Sequence, residues 1–258
     1  MKLHEILFSP TGGTQKVCSI VSNEFPCEKE EIDLMQKKSP HSKHAISAED
    51  ICIIAVPSYG GRVPAPAVEN LKLLDGNGAK AVLVVVYGNR AYEDTLLELK
   101  NTAEKAGFTC IAAMTAIAEH SIMRQYGSGR PDAGDTEVLK GYAKELAAAL
   151  RAEKSFQPLK VPGHEPYRAY GGLPLHPKAG KRCRGCGVCV KVCPVGAISA
   201  ANPRITDPEK CITCMACAAV CPQHARRLNP IMLAAASRKM KKVCAVRKEN
   251  AFIMEIKS

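Results

Sequence analysis

Eight of the 13 cysteines fall into two copies of one pattern, "CRGCGVCVKVCP" at 183–194 and "CITCMACAAVCP" at 211–222. Both copies read C-x2-C-x2-C-x3-C-P. The three closely spaced thiolates of a copy wrap one cubic iron–sulfur cluster, whereas the fourth, which precedes a proline, points to the neighbouring cluster. The spacing therefore predicts two [4Fe–4S] clusters with interleaved ligands. Cluster I would take Cys183, Cys186, Cys189 and Cys221; cluster II would take Cys193, Cys211, Cys214 and Cys217.

This doubled motif resembles the bacterial ferredoxin with two [4Fe–4S] clusters. Paired C-x2-C elements also build zinc sites, but tetrahedral zinc needs four ligands and gives no reason for the third cysteine or the proline of each copy. Between the copies, Ile198 and Ile205 flank an Asn202-Pro203 turn, which suits a short hairpin. The resemblance implies a small α+β domain of about 50 residues that relies on its clusters as core.

Residues 1–154 have a different sequence pattern, in which short runs rich in Val and Ile alternate with segments of helical periodicity. The runs are "KLHEILF", "CEKEEIDL", "DICIIAVP", "AKAVLVVVYG" and "FTCIAAMTAIA"; the helical patterns cover 64–74, 91–106 and 135–154. This alternation predicts an α/β fold with five parallel strands and helices on both faces, the second strand lying at an edge. Ligands of such sheets bind beyond the carboxyl ends of the strands, where loops 9–15, 57–64 and 87–94 meet.

The first of these loops, "SPTGGTQ", looks like a phosphate-binding turn that opens a helix. It lacks the pattern G-x-x-x-x-G-K-[ST] of nucleoside triphosphate sites, and the dinucleotide pattern G-x-G-x-x-G is missing too. The loop therefore predicts a phosphorylated ligand that is neither ATP nor NAD(P).

Together the three loops resemble those of the flavodoxins, a doubly wound fold with strand order 2-1-3-4-5. The resemblance implies FMN, its phosphate held by hydroxyls and helix-start amides, with Tyr59 on one ring face and Tyr92, or second Tyr87, on the other. The Gly60-Gly61 backbone would approach the flavin N5 edge. The implied FMN contacts are Ser9, Thr11, Gly12, Gly13, Thr14, Gln15, Pro57, Ser58, Tyr59, Gly60, Gly61, Arg62, Tyr87, Gly88, Asn89, Arg90 and Tyr92.

Residues 155–180 hold five prolines and little periodicity, which indicates a semi-rigid linker. Its large apolar residues suggest that it lies over the first domain. We therefore expect a flavodoxin-like domain at 1–154, the linker, a ferredoxin domain at 181–228, and a C-terminal helix and tail at 229–258. Asn229 and Pro230 would start that helix, whose stripe of Met232, Ala236, Met240 and Val243 should pack against another surface.

Composition narrows the function classes. The 258 residues, 46% hydrophobic and 24% charged, suit a globular protein without a membrane span or signal peptide, and we expect it in the cytoplasm, where cysteines stay reduced. The formal net charge of +11 falls to about +5 once two thiolate-ligated clusters and an FMN phosphate are counted. Because no binding motif accompanies that charge, nucleic acid is not expected as a partner.

The whole chain resembles a flavodoxin–ferredoxin fusion, a family typical of strict anaerobes. That implies low-potential electron transfer between the clusters and FMN, with redox-protein donors and acceptors; the basic residues flanking cluster I point to an acidic partner. An FMN-dependent reductase of a small organic substrate is the alternative, with Tyr59, Tyr92, Arg62, Arg90 and His120 as candidate residues, so enzyme status stays open. A structural or sensory iron–sulfur protein is a third class. The sequence leaves open a homodimer.

Overall fold

A six-stranded sheet organises the larger part of the chain, whose computed structural model describes residues 1–36 and 45–257. The strands are β1 (Leu3–Leu7), β2 (Lys29–Asp33), β3 (Ile51–Pro57), β4 (Lys80–Tyr87), β5 (Thr109–Ile117) and β8 (Ala251–Met254). Their order is β2-β1-β3-β4-β5-β8, and the first five are parallel. The predicted order 2-1-3-4-5 is therefore confirmed. This is the flavodoxin-like doubly wound arrangement.

Helices cover both faces of the sheet, as buried parallel strands require. They are α1 (Gly13–Ser22), α2 (Ala65–Leu71), α3 (Thr95–Lys105) and α4 (Ala133–Arg151). The apolar sides of α1 and α4 pack on one face, and those of α2 and α3 pack on the other. Cys52 and Cys110 lie in the core, where burial raises the pKa of each thiol to about 12, so they are the apolar residues that their strands predicted.

Strand β8 was not predicted. It pairs antiparallel with β5 and covers the edge that this strand would otherwise expose. The chain reaches it through residues 245–250, which are fixed by buried polar bonds: Asn250 accepts from the Ile117 amide at 3.1 Å and donates to Asp135 at 3.0 Å. The tail thus completes the first domain's sheet. The division of the chain at 154, 180 and 228 stays a prediction.

The linker runs along the sheet domain and is held at several points. Leu159 is buried in the core beside α2 and α3. The Asp94 carboxylate accepts the amides of His164 at 2.9 Å and Arg168 at 2.7 Å. Further on, the Leu175 carbonyl accepts from the Thr213 hydroxyl at 2.7 Å. These contacts tie the linker to both domains.

The cysteine-rich part folds into two similar halves. Helices α5 (Val188–Lys191) and α6 (Ala216–Ala219) each lie within a cysteine motif, and short strands β6 (Lys178–Ala179) and β7 (Arg226–Arg227) pair antiparallel. The hairpin expected between the motifs is present as a bridge between Ile198 and Thr206.

Helix α7 (Pro230–Cys244) begins as the sequence predicts, with the Asn229 side chain accepting the amides of residues 231 and 232. Its predicted contact face is shifted, however: Met232 and Val243 are exposed. The face that packs on Met123 and Tyr126 consists of Leu233, Ala236, Met240 and Cys244. The predicted and the observed contact faces share Ala236 and Met240. The surface against which the helix packs determines which of the two faces is buried. No helix within 1–36 or 45–257 has the length and apolarity needed to cross a bilayer.

Candidate functional site

The three predicted loops converge beyond the carboxyl ends of β1, β3 and β4 and border one cavity of about 320 Å³, the loop cleft. Most of the residues implied by the flavodoxin resemblance line it. From that set the loop cleft contains Thr11, Gly13, Thr14, Pro57, Ser58, Tyr59, Gly60, Tyr87, Gly88 and Arg90. Its volume lies at the lower end of the range of about 300–1,000 Å³ for small-molecule and cofactor sites.

The first loop presents backbone donors at the start of α1. Gly12 takes a left-handed conformation, with φ of 84°, which turns the chain into the helix. The Ser9 hydroxyl accepts the Gln15 amide at 2.9 Å, so both residues serve the turn itself and lie outside the loop cleft. Among the described residues, no group accepts a hydrogen bond from the amides of residues 11–14. Free amides at a helix start fit a phosphate group.

The aromatic residues of the loop cleft differ in part from the prediction. Tyr59 and Tyr87 line it, whereas Tyr92 lies outside, packed against the sheet core with its ring edge-on to Tyr87 at 5.3 Å between centroids. Tyr92 therefore does not line the loop cleft in this structure, because the loop turns its ring towards the core, and its contact with a flavin stays a prediction. Tyr170 of the linker lies in the cleft instead.

Tyr170 reaches the cleft because of Gly60. This glycine has a φ of +61°, and a Cβ added there would overlap the Tyr170 ring. Burial, with Cys214 and Tyr170 nearby, raises the pKa of the Tyr59 hydroxyl well above its usual range, so this phenol stays protonated. The second loop thus presents the neutral phenol of Tyr59, and the Tyr170 ring packs on Gly60.

Arg62 and Asn89 have structural roles away from the loop cleft. The Arg62 guanidinium forms a two-point ion pair with Glu98, at 2.8 and 2.7 Å, and faces a neighbouring groove of about 950 Å³. The Asn89 amide donates to the carbonyls of Cys244 at 2.7 Å and Val246 at 3.0 Å, which fixes the chain after α7. Neither side chain contacts the cleft, because each is fully engaged by a distant segment.

His120 follows β5 and lines the loop cleft, packed against Gly88, where a Cβ would lie 2.7 Å from the ring. Its Nδ1 accepts the amides of Ile122 and Met123, each at 3.2 Å, so the proton resides on Nε2. Burial and the neighbouring Arg90 lower the pKa of His120, which favours the neutral ring. The cleft therefore contains one neutral imidazole.

Arg90 and Arg168 both line the loop cleft, and the two guanidinium groups share one carboxylate. Glu93 pairs with both Arg90 and Arg168, and Arg168 belongs to the linker. An ion-pair cluster thus joins the third loop to the linker beside the loop cleft.

The predicted ligands of cluster II border one small cavity. It is lined by Cys193, Cys211, Cys214 and Cys217, together with apolar neighbours. Cys193 of the first copy thus lies beside three cysteines of the second, the arrangement that the interleaved scheme predicts, and the ligation itself stays a prediction. Burial raises the pKa of Cys214 to about 12 and that of Cys217 to about 11, so thiolates here depend on a bound cation such as iron. No group of three or more His, Cys, Asp or Glu in the described parts suits a single metal ion.

Cluster I would lie nearer the surface. Of its predicted ligands, Cys186 is exposed, Cys183 and Cys221 are half-buried and Cys189 is buried. The Cys221 sulfur accepts the Ala225 amide at 3.3 Å, and such amide donors lower the pKa of this thiol although partial burial opposes them. The remaining cysteines, including Cys18 and Cys244, form no further ligand set among the described residues.

The two candidate sites share a wall. Ile212 and Thr213, which separate the predicted cluster II ligands Cys211 and Cys214, line the loop cleft together with the flavodoxin-like loops. Leu173 of the linker and Met240 of α7 line it too. These residues are remote in sequence from loops 9–15, 57–64 and 87–94, so sequence reasoning missed them.

Strand order and site together define an α/β domain of flavodoxin-like fold joined to a smaller cysteine-rich domain of the ferredoxin type. A family model described as a 4Fe-4S dicluster domain matches residues 182–225. Ferredoxin-3 of Nostoc sp. is 32% identical over 87 residues, covering 24% of this chain and 90% of that protein. Through this part the chain belongs to the ferredoxin family, whose members are iron–sulfur electron-transfer proteins.

A second relative is a component of the ion-translocating oxidoreductase complex of Methanosarcina acetivorans, 48% identical over 53 residues. The match covers 18% of each protein, so the chain spans less than a fifth of that relative. A Streptococcus pneumonia flavodoxin structure shares 20% identity with a TM-score of 0.41, covering 57% of this chain and 97% of that one. The Megasphaera elsdenii flavodoxin structure is 18% identical with a TM-score of 0.39, and the match covers 55% of this chain and 98% of that one. The fold assignment therefore rests on the strand order itself.

Proposed function

We propose that the chain is an electron carrier that transfers electrons internally between two [4Fe–4S] clusters and an FMN held in the loop cleft. The free amides of residues 11–14 would hold the phosphate, and Tyr59, Tyr87 and Tyr170 would surround the ring system. Clusters carry single electrons, and a bound flavin stores one or two. The eight motif cysteines would ligate the clusters in the crossed pattern.

The shared wall carries this proposal. Only two residues, Ile212 and Thr213, separate Cys211 from Cys214, and both of them line the loop cleft. Cluster II would therefore lie one residue layer from the flavin, while cluster I would face solvent through Cys186. The arrangement gives electrons an order: surface, cluster I, cluster II, cleft.

A reductase acting on a small substrate has less support. Such an enzyme needs open space over the reactive ring, whereas Tyr170, Leu173 and Met240 also line the loop cleft and would compete with a substrate for that space. A volume of about 320 Å³ would be taken up by the cofactor. The neutral His120 is the feature that would serve a reductase as proton donor, and Arg62 and Tyr92 are turned away.

The cellular compartment, the type of metabolism and the redox partners are also part of the proposal. Oxygen-sensitive clusters and 13 unpaired cysteines suit a reducing cytoplasm and an anaerobic metabolism, with other redox proteins as donor and acceptor. The formation of a homodimer stays a prediction.

Rapid photoreduction tests the internal transfer. The anaerobic holoprotein is reduced by the neutral 5-deazariboflavin radical, and cluster bleaching and flavin reduction are followed separately. We expect flavin reduction to follow cluster reduction at a rate that does not change with protein concentration. In Cys214→Ser, which removes a cluster II ligand, the clusters that remain should be reduced while the following flavin phase slows strongly; Cys18→Ser is the matched control outside both motifs. A flavin phase that scales with protein concentration would contradict internal transfer.

A further inference from the structure

The surface around cluster I is strongly basic. Residues 181–227 contain eight Lys or Arg and two Asp or Glu. Five exposed cations form what we call the basic rim: Lys181, Arg182, Arg184, Lys191 and Arg204. Arg204 is fixed beside the motif, because its guanidinium donates to the Cys183 carbonyl. None of the five has a carboxylate partner within the described ranges. Their charge is therefore available to a binding partner.

Exposed apolar side chains accompany the basic rim along the chain. Val188 and Val220 directly precede the cluster I ligands Cys189 and Cys221, and they are 36% and 38% exposed. Ile205, next to Arg204, is 57% exposed. β-Branched side chains at the surface beside an exposed cluster ligand, surrounded by charge, have the anatomy of a protein-binding patch: an apolar centre and a polar rim.

From this surface we infer that cluster I docks an acidic one-electron carrier protein, an inference that rests on the proposed internal transfer. The partner would be oxidised by one electron as cluster I is reduced by one, with no bond or proton exchanged. The loop cleft supports this route, since Tyr170 of the linker and Met240 of α7 line it together with the flavodoxin-like loops, so side chains of several segments would surround the flavin. Complementary charge would orient the partner over Cys186 and speed association.

Other occupants fit less well. A second copy of this chain would bring two basic rims together, and like charges repel across an interface. Nucleic acid would meet the cations, but the exposed valines and isoleucine offer it no base-stacking ring. The clusters would carry negative charge of their own, whereas all five rim cations are exposed to solvent and to a partner.

The test uses a reduced plant-type [2Fe–2S] ferredoxin as the acidic probe and the neutral 5-deazariboflavin radical as the control reductant. For the unmodified holoprotein, the second-order rate of cluster reduction by the ferredoxin should fall about tenfold or more from low to high ionic strength. The rate with the neutral radical should stay constant. This comparison needs no variant, so it holds even if a substitution damages a cluster.

Charge reversal then locates the surface. The double variant Lys181→Glu with Arg184→Glu should slow reduction by the ferredoxin about tenfold and remove most of the salt dependence. Lys241→Glu with Lys242→Glu on α7 makes the same charge change away from cluster I, and its rate should change less than about twofold. Iron and sulfide contents are compared first, because Arg184 lies between two ligands.

Three results would overturn the inference. The first is equal slowing in both double variants, which would indicate that the net charge of the whole protein, and not the basic rim, attracts the ferredoxin. The second is a salt-independent rate with the ferredoxin. The third is tight binding of a DNA or RNA oligonucleotide that the Lys181 and Arg184 reversals abolish. In each case the later concentration-independent flavin phase reports separately on the proposed internal transfer, so the two claims fail independently.

Discussion

Leu159 fixes the linker to the sheet domain, and shortening it tests whether the linker is a permanent part of the structure. The side chain is 4% exposed within the core beside α2 and α3. Replacing such a buried leucine by alanine costs about 2–5 kcal/mol. Because each 1.4 kcal/mol is about a factor of ten, the ratio of released to docked linker should rise roughly 30- to 5,000-fold in Leu159→Ala.

Amide hydrogen exchange measures that ratio. The amides of His164 and Arg168 donate to the Asp94 carboxylate, so their exchange reports opening of the linker. Both should exchange faster in Leu159→Ala by the same large factor, and internal flavin reduction should become slower or heterogeneous. Lys160→Ala, at the exposed neighbouring position, is the control. If the amides of His164 and Arg168 exchange at the same rate in both variants, Leu159 does not hold the linker and the reasoning is refuted.

Three further predictions concern the sites. Tyr170→Ala should raise the FMN dissociation constant about tenfold, measured by recovery of flavin fluorescence, whereas Tyr92→Ala should change it less than twofold while lowering stability; the reverse pattern would restore Tyr92 as the ring contact. Hydrogen bonds from the amides of Arg168 and His164 keep the pKa of the Asp94 carboxyl below its usual value. The ionised carboxylate therefore contributes to linker docking above about pH 4, and this contribution is lost as the pH falls through the lowered pKa. Asp94→Asn should accordingly speed exchange of both amides at neutral pH, and unchanged protection would argue against this anchor. Cys193→Ser should damage cluster II and Cys221→Ser cluster I; Mössbauer spectra in which each variant harms only its own motif's cluster would disprove the crossed ligation.

The tail changes how the two halves can be separated for experiment. A fragment ending at residue 154 lacks β8, so the edge of β5 is exposed, and the fragment 181–258 carries that strand away. Residues 155–157 also pair with the tail, since the Gln157 amide donates to the Glu255 carbonyl at 2.9 Å. Variants of the intact chain therefore test electron transfer more cleanly than mixed fragments.

The corrections within the site share one cause. Loops 9–15, 57–64 and 87–94 were recognised from their own residues, yet the structure gives individual side chains other partners: Arg62 pairs with Glu98, and Asn89 bonds the chain after α7. Tyr92 packs on the core, and Tyr170, more than 75 residues away in sequence, takes its place in the cleft. Local pattern identifies a loop, but it does not identify which distant segment will satisfy each polar or aromatic group.

The sequence by itself determined whatever depends on local spacing. The C-x2-C-x2-C-x3-C-P repeats predict the cluster ligands, and apolar runs such as 50–57 and 79–88 specified buried parallel strands and, through the flavodoxin resemblance, their order. Only the tertiary structure decided that four residues near the end, Ala251–Met254, pair with β5, and that Thr213 faces the loop cleft. The physical reason is that a short strand or a single wall residue gains its stability from contacts distant in sequence, whose geometry exists only once both domains and the linker have packed together.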